Sequence, residues 1–298
     1  MRTVRSLFSV SGSSLLAWGL LVSVTSGCGK GDDGPKLNCP NGMRTIWLDA
    51  LNNVGECEVI TPLGDGRAPR SGLEQAYPAM NRPPGALTTP ERIELGRLLY
   101  FDPVLSGDNS VACASCHHPA NGFTDNRAVS TGIRGQQGGR SAPTVWNAAW
   151  SGEQFWDGRA KTLEDQAKGP IQNPIEMDQN PALLLTELKA IPEYSRRFDE
   201  AFRGSGGSAV TLDNIASAIA AFERTIASVN SPFDRYAAGD RSAMNESAVR
   251  GLNLFRSVST RCFECHELPT FAMKEYKVLG VPSLGDPTKV DDDRGRAA

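Results

Sequence analysis

Two short stretches constrain this chain more than any other feature: "CASCH" at 113–117 and "CFECH" at 262–266. Each sets two cysteines three apart and follows them at once with a histidine. The chain has only three histidines, His117, His118 and His266, so two of the three directly follow a cysteine pair. At that frequency, chance placement at both sites is on the order of one in ten thousand. Cysteines at this spacing, on a turn entering a helix, can each bond one vinyl group of a haem. The histidine that follows is then brought under the ring to bind iron. A zinc site made from Cys113, Cys116, Cys262 and Cys265 uses the same spacing but leaves both histidines unexplained. A thioredoxin-like dithiol needs a βαβ pattern that is missing. Two covalently bound c-type haems is the reading that accounts for every residue of both motifs. His118 is expected to face solvent or the edge of the haem.

The remaining cysteines of the seven point outside the cytoplasm. Arg2 and Arg5 precede "SLLAWGLLVSVTSG", an apolar stretch with the character of a signal peptide. Ser26 and Gly27 before Cys28 resemble a bacterial lipobox, although Thr25 stands where Leu, Val or Ile is usual. The expectation is residues 1–27 cleaved as a signal, a lipid-anchored Cys28 and a periplasmic location; ordinary cleavage nearby is the other reading. Cys39 and Cys57 are expected to pair as a local disulfide, because exported thiols oxidise. A net charge of -3 with no basic run excludes a nucleic-acid partner.

Residues 28–86, rich in Gly, Pro, Asp and Asn, read as a tether with a small disulfide loop. Helical signals begin at Thr89 (cap) and Pro90 (first position), followed by the stripe Ile93, Leu95, Leu98 and Leu99. Comparable starts recur at "NPALLLTELKAI", "IPEYSRRFDEAF", "TLDNIASAIAAFERTIAS" and "NESAVRGLNLF". Strand alternation is almost absent, so the expected class is all-α. A weak repeat pairs Gly96 with Gly251, Leu99 with Leu254 and Tyr100 with Phe255, each set upstream of a cysteine pair. It suggests two related domains, at 87–230 and 231–298.

From about residue 88 onward the chain resembles the bacterial di-haem cytochrome c peroxidases and their MauG relatives. The resemblance rests on "LGRLLYFDPVLSGDNSVACASCHHP", "STGIRGQQGGRSAPTVWNAAW", "FWDGRAKTLEDQAKGPIQNPIEM", "AIAAFERTIASVNSPFDRYAAGD" and "RGLNLF…CFECH", in the family's order. It implies two cytochrome c-like domains, with the peroxide-reacting haem at Cys113, Cys116 and His117. The electron-receiving haem would sit at Cys262, Cys265 and His266. It further implies that Trp156 lies between the haems, that Glu176 is the acid/base carboxylate of the distal pocket and that Gln166 is its polar neighbour. The implied reaction reduces hydrogen peroxide to water with electrons from a small cytochrome c or cupredoxin, and a homodimer is in keeping with it. A MauG-like oxidase of a partner protein is the alternative within the family. A di-haem electron-transfer cytochrome is the alternative outside it, disfavoured because only His118 is left to serve as a distal histidine.

The sequence departs from the family pattern in three places. Ile133 stands where typical members carry a distal histidine, so the first haem is expected to be open without prior reduction. Ser141 replaces the calcium asparagine, which puts calcium binding in doubt. The family continues past "DxGR" into a segment supplying the sixth ligand of the second haem, whereas this sequence ends at "DDDRGRAA". That ligand is expected to be missing, and the chain to be truncated relative to the family or a fragment of it. Met273 is the rival for the vacant position, although a loop methionine is the plainer reading of it.

Overall fold

A computed structural model gives the fold, describing residues 37–49, 54–59 and 79–273 and scattered positions beyond. The expectations for residues 1–27 and for Cys28 lie outside the described residues. The chain is mostly helical: α1 (Pro90–Phe101), α2 (Cys113–Cys116), α3 (Leu163–Gln172), α4 (Pro181–Ala190), α5 (Pro192–Phe202), α6 (Leu212–Glu223), α7 (Pro232–Ala237) and α8 (Glu246–Phe255). The capping chemistry read from sequence is in place. The side chains of Thr89, Asn180, Thr211 and Asn245 accept hydrogen bonds from first-turn amides, satisfying donors that the helix leaves free.

The core forms around α6. Ile215, Ala216, Ala218, Ile219, Ala220 and Ala221 are all buried, so this helix is enclosed nearly all round. Its alanines let α1 approach closely. A Cβ built on Gly96 of α1 would stand 1.8 Å from the carbonyl oxygen of Ala218, a contact no side chain could survive. Leu95, Leu99, Tyr100, Leu184, Leu188 and Phe198 complete this layer. A second, smaller cluster gathers Ala237 and Leu252 with Phe233, Tyr236, Met244 and Leu268.

The all-α expectation needs correcting at the N-terminal end. Met43–Asp49 (β1) and Val54–Val59 (β2) pair as an antiparallel hairpin inside the stretch read as a tether. The expected Cys39–Cys57 disulfide is present and pins the hairpin to its own lead-in. The hairpin is no free tether: Cys57 packs against Ile93 of α1 and Ala221 of α6, and its amide donates to Thr88 O at 2.7 Å. Glu56 is buried on the hairpin and held by Arg82, whose Nη2 lies 2.6 Å from Oε1. From Glu56 to Val59 the strand does alternate polar with apolar, but over only four residues, too short a run to mark a strand.

The internal repeat holds in its aromatic members and is unequal in its leucines and glycines, Leu99 being fully buried and Leu254 exposed. Tyr100 packs edge-on to Phe123 with centroids 6.3 Å apart, and Phe255 packs likewise on Phe271 at 5.4 Å. Gly251, by contrast, has nothing within 4 Å of a built Cβ. Gly96→Ala should therefore lower stability by roughly 1–3 kcal/mol through overpacking. Gly251→Ala should leave stability unchanged or raise it by up to about 1 kcal/mol through helix propensity. Denaturant unfolding of both variants checks this; equal effects would contradict the close α1–α6 approach.

Candidate functional site

One cavity of about 400 Å³ lies between α2, α3, α6 and the loops at 130–145, 154–159 and 175–177. Its wall contains Cys113, Cys116, His117, Trp156, Gln166 and Glu176, so the residues assigned to the first site, spread from 113 to 176 in sequence, meet in one place. Val111, Ala142, Val145, Leu163, Ile171 and Ile219 make much of the remaining surface apolar.

Cys113 opens the short helix α2, and His117 sits at its C-terminal cap. His117 Nδ1 lies 3.2 Å from Phe123 O and 3.0 Å from Pro143 O. Carbonyl oxygens only accept, so Nδ1 carries the proton and Nε2 keeps its lone pair. Burial pushes His117 below its ordinary value, which favours the neutral, ligating form, while those two hydrogen bonds oppose the shift. From α1, Tyr100 donates to His117 O at 3.2 Å. Burial raises the Cys113 thiol to about 12, the charge of Glu223 adding to the shift; burial also raises Cys116.

Glu176 stands in the turn after α3, and Asn173 organises that turn. The Asn173 carbonyl accepts from the amides of Glu176, Met177 and Asp178 at 3.0, 3.1 and 2.8 Å. Asn173 Nδ2 donates to Glu176 Oε1 at 3.0 Å. Burial raises the Glu176 carboxyl, against the charge of Arg159 and the Asn173 hydrogen bond. The 130–138 loop closes on the same turn, with Ile133 N donating to Glu176 O at 2.8 Å. A Cβ on Gly132 would lie 2.1 Å from Ile175 O and 2.6 Å from Glu176 O, so only glycine permits this closure. Ile133 is itself fully buried in the core.

Trp156 lies at the rim, 57% exposed, and its Nε1 donates to Ser141 O at 2.9 Å. The next residue, Asp157, pairs with Arg140 at 2.6 Å and with Arg159 at 2.8 Å. Burial opposes ionisation of Asp157, but hydrogen bonds from these two arginines outweigh it and hold the carboxyl below its ordinary value. Gln166 is carried on α3.

The other candidates lie elsewhere. His118 is exposed and its Nδ1 accepts from Ala120 N at 3.2 Å, in keeping with a solvent-facing residue. Cys262, Cys265 and His266 form a separate site that is not part of the cavity wall. Their local fold repeats the first: His266 Nδ1 donates to Phe271 O at 3.0 Å, and both Phe123 and Phe271 take positive φ. Met273 is exposed. Among the described residues no group of three or more His, Cys, Asp or Glu side chains is arranged to hold a metal ion, so the four thiols do not gather into a zinc site.

A family model described as di-haem cytochrome c peroxidase matches residues 90–242. The chain belongs to this family. Cytochrome c551 peroxidase of Nitrosomonas europaea is 41% identical over 208 residues, 68% of this chain and 61% of its own length. The methylamine utilization protein MauG of Methylorubrum extorquens is 38% identical over 198 residues, 66% of this chain and 55% of its own. The solved structure of a MauG-like protein associated with microbial copper homeostasis superposes with a TM-score of 0.62 at 30% identity. That match covers 70% of this chain and 64% of the other. The chain thus spans about 60% of the length of the curated peroxidases it matches. The family is one of haem proteins, and the donor set fits a covalently attached haem: two thiols, an imidazole lone pair and an apolar wall around them.

Sequence reasoning missed Asn173, Gly132 and above all Glu223. Glu223 ends the enclosed helix α6, is 6% exposed, and its Oε2 has no hydrogen-bond partner although it lines the cavity. Burial raises its carboxyl from 4.5 to about 8, against the charge of Arg224 and reinforced by that of Glu164. The available signal was a charged pair, Glu223–Arg224, at the end of a helix with no polar face. As pH rises from about 4.5 to about 8, the unfolded chain ionises this group and the folded chain does not. Stability present below that window is therefore lost across it, by about 1.4 kcal/mol per pH unit. The unfolding free energy of Glu223→Gln should accordingly gain on the parent over this range; a difference independent of pH would contradict the burial of an unsatisfied acid here.

Proposed function

We propose that the chain is a peroxidase that reduces hydrogen peroxide to water with electrons from a small redox protein, a cytochrome c or a cupredoxin. In this reading Cys113 and Cys116 hold one haem c covalently with His117 Nε2 on its iron, and Cys262, Cys265 and His266 hold a second. The two lie in cytochrome c-like domains at 87–230 and 231–298. When bound, the haem supplies the redox chemistry that accepts oxygen from peroxide and electrons from the donor. The observation that carries the reading is that a single cavity joins the attachment set, Cys113, Cys116 and His117, to a desolvated carboxyl, Glu176.

Glu176 takes a proton from the near oxygen of peroxide and delivers it to the far oxygen as the O–O bond breaks. Its raised proton affinity suits both halves of that transfer. Asn173 holds one carboxyl oxygen, leaving the other for the substrate. Gln166 offers an amide to orient the peroxide. Overall, one peroxide, two electrons and two protons give two waters. With Ile133 held in the core, this loop offers the iron no histidine, so turnover needs no prior reduction. Export to the periplasm and a lipid on Cys28 belong to the same proposal.

The 57% exposure of Trp156 favours a second reading, a MauG-like oxidase that draws electrons from a partner protein's side chains through this ring. Oxidised, haem-loaded protein mixed with peroxide and reduced small cytochrome c separates the two. The peroxidase reading expects donor oxidation without pre-reduction, falling by roughly 100-fold or more in Glu176→Gln. A peroxide-induced spectral change with no consumption of the donor would replace it with the oxidase reading.

A further inference from the structure

Peroxide chemistry as drawn above leaves Glu223 unused. It is an acid that folding has placed on the cavity wall, nine-tenths buried and with one oxygen unpartnered. The guanidinium of the following residue does not satisfy it. Arg224 is itself buried and turns both of its terminal nitrogens to Glu164, at 2.8 and 3.1 Å, and one also to Asn81 O at 3.2 Å. A carboxylate at position 223 would thus sit in a poorly screened place within electrostatic reach of Cys113 of α2. Its charge would oppose ionisation of both Cys113 and Tyr100.

We propose that Glu223 is a redox-linked proton site of the His117 pocket, binding one proton from solvent when an electron reaches the haem and releasing it when the electron leaves. The inference rests on the reading that His117 ligates a haem. One electron comes from the external donor and one proton from solvent. Glu223 passes from carboxylate to carboxylic acid, and no other bond forms or breaks. Adding an electron to the site removes a positive charge that had favoured the carboxylate. At an effective dielectric of about 20, a unit charge on the order of 10 Å away changes proton affinity by roughly tenfold. Such a shift matters because burial already holds Glu223 near 8, within reach of neutral solution.

The neighbouring groups leave few rivals for this role. On α6, Arg224 is charged and paired with Glu164 of α3. Tyr100 of α1 is held in its neutral form by burial. Cys113 and Cys116 of α2 are consumed as thioethers in the haem-bearing protein. Arg140 and Arg159, at the rim, pair with Asp157. Glu176 is the remaining acid of the wall and serves as the comparison.

The test is the reduction potential of the His117 haem against pH, in the parent, Glu223→Gln and Glu176→Gln. Covalent haem content is measured first in each. Parent protein carrying no haem on Cys113 and Cys116 overturns the proposed function itself, which keeps that failure distinct from failure of this inference. With haem in place, the parent potential should fall as pH rises through the titration of Glu223, approaching one proton per electron. Glu223→Gln should flatten that dependence and Glu176→Gln should retain it. A flat parent profile, or an unchanged slope in Glu223→Gln, overturns the inference. Should Glu223→Gln fail to fold, redox-triggered infrared difference spectra of the parent decide. A carboxylic-acid carbonyl band that appears on reduction and shifts in heavy water supports the assignment, and no such band refutes it.

Discussion

The buried ion pair between Arg224 and Glu164 braces the part of the fold on which the cavity depends. It joins the end of α6 to the first turn of α3, and through Asn81 O it also fastens the segment leading into α1. Both terminal nitrogens of Arg224 are matched while its buried Nε has no partner, and losing one member of such a pair costs about 3–5 kcal/mol. The arrangement is bidentate, which sets the rotation of one helix on the other as well as their distance. Gln166 rides on α3 and Glu223 on α6. Asn173, one residue beyond α3, sets the turn that carries Glu176. The wall therefore inherits its geometry from a contact outside the chemistry.

Close backbone approach is the second constraint, and it acts at two points. Gly96 lets α1 lie against Ala218, which brings Tyr100 to the carbonyl of His117. Gly132 lets a loop close on Ile175 and Glu176, where Ile133 donates to the Glu176 carbonyl. In both places a missing side chain fixes the position of a functional one. His117 is oriented by backbone carbonyls alone, and the same device recurs at His266 and Phe271. The two cysteine–histidine loops thus share this ring-to-carbonyl device, the first enclosed and the second exposed.

Much of this was legible in the sequence, because its signals are local. Cap residues and apolar stripes located the helices, and cysteine–histidine spacing singled out the two motifs proposed to hold haem. Glu176, Gln166 and Trp156 were legible only by resemblance, since neither carboxylate spacing nor periodicity distinguishes them from surface residues. Three features escaped for physical reasons. The hairpin was hidden because the alternation in β2 runs only from Glu56 to Val59, too short to stand out from a loop. Gly132 looked like any loop glycine, because the carbonyls it admits lie more than forty residues away. Glu223 stands next to Arg224 in sequence, a pairing that exposed helix ends also show, and only the enclosure of α6 reveals that it has nowhere polar to go.

The central claim is that the thiols of Cys113 and Cys116, with the free nitrogen of His117, are a haem-attachment site matched by a second at Cys262–His266. Covalent haem per chain, measured by intact mass and haemochrome absorbance after expression with a c-type maturation system, tests it most directly. The account predicts two haems per chain, reduced to one when Cys113 and Cys116 are both changed to serine. A chain that matures without covalent haem, or that holds zinc on these thiols instead, would contradict it.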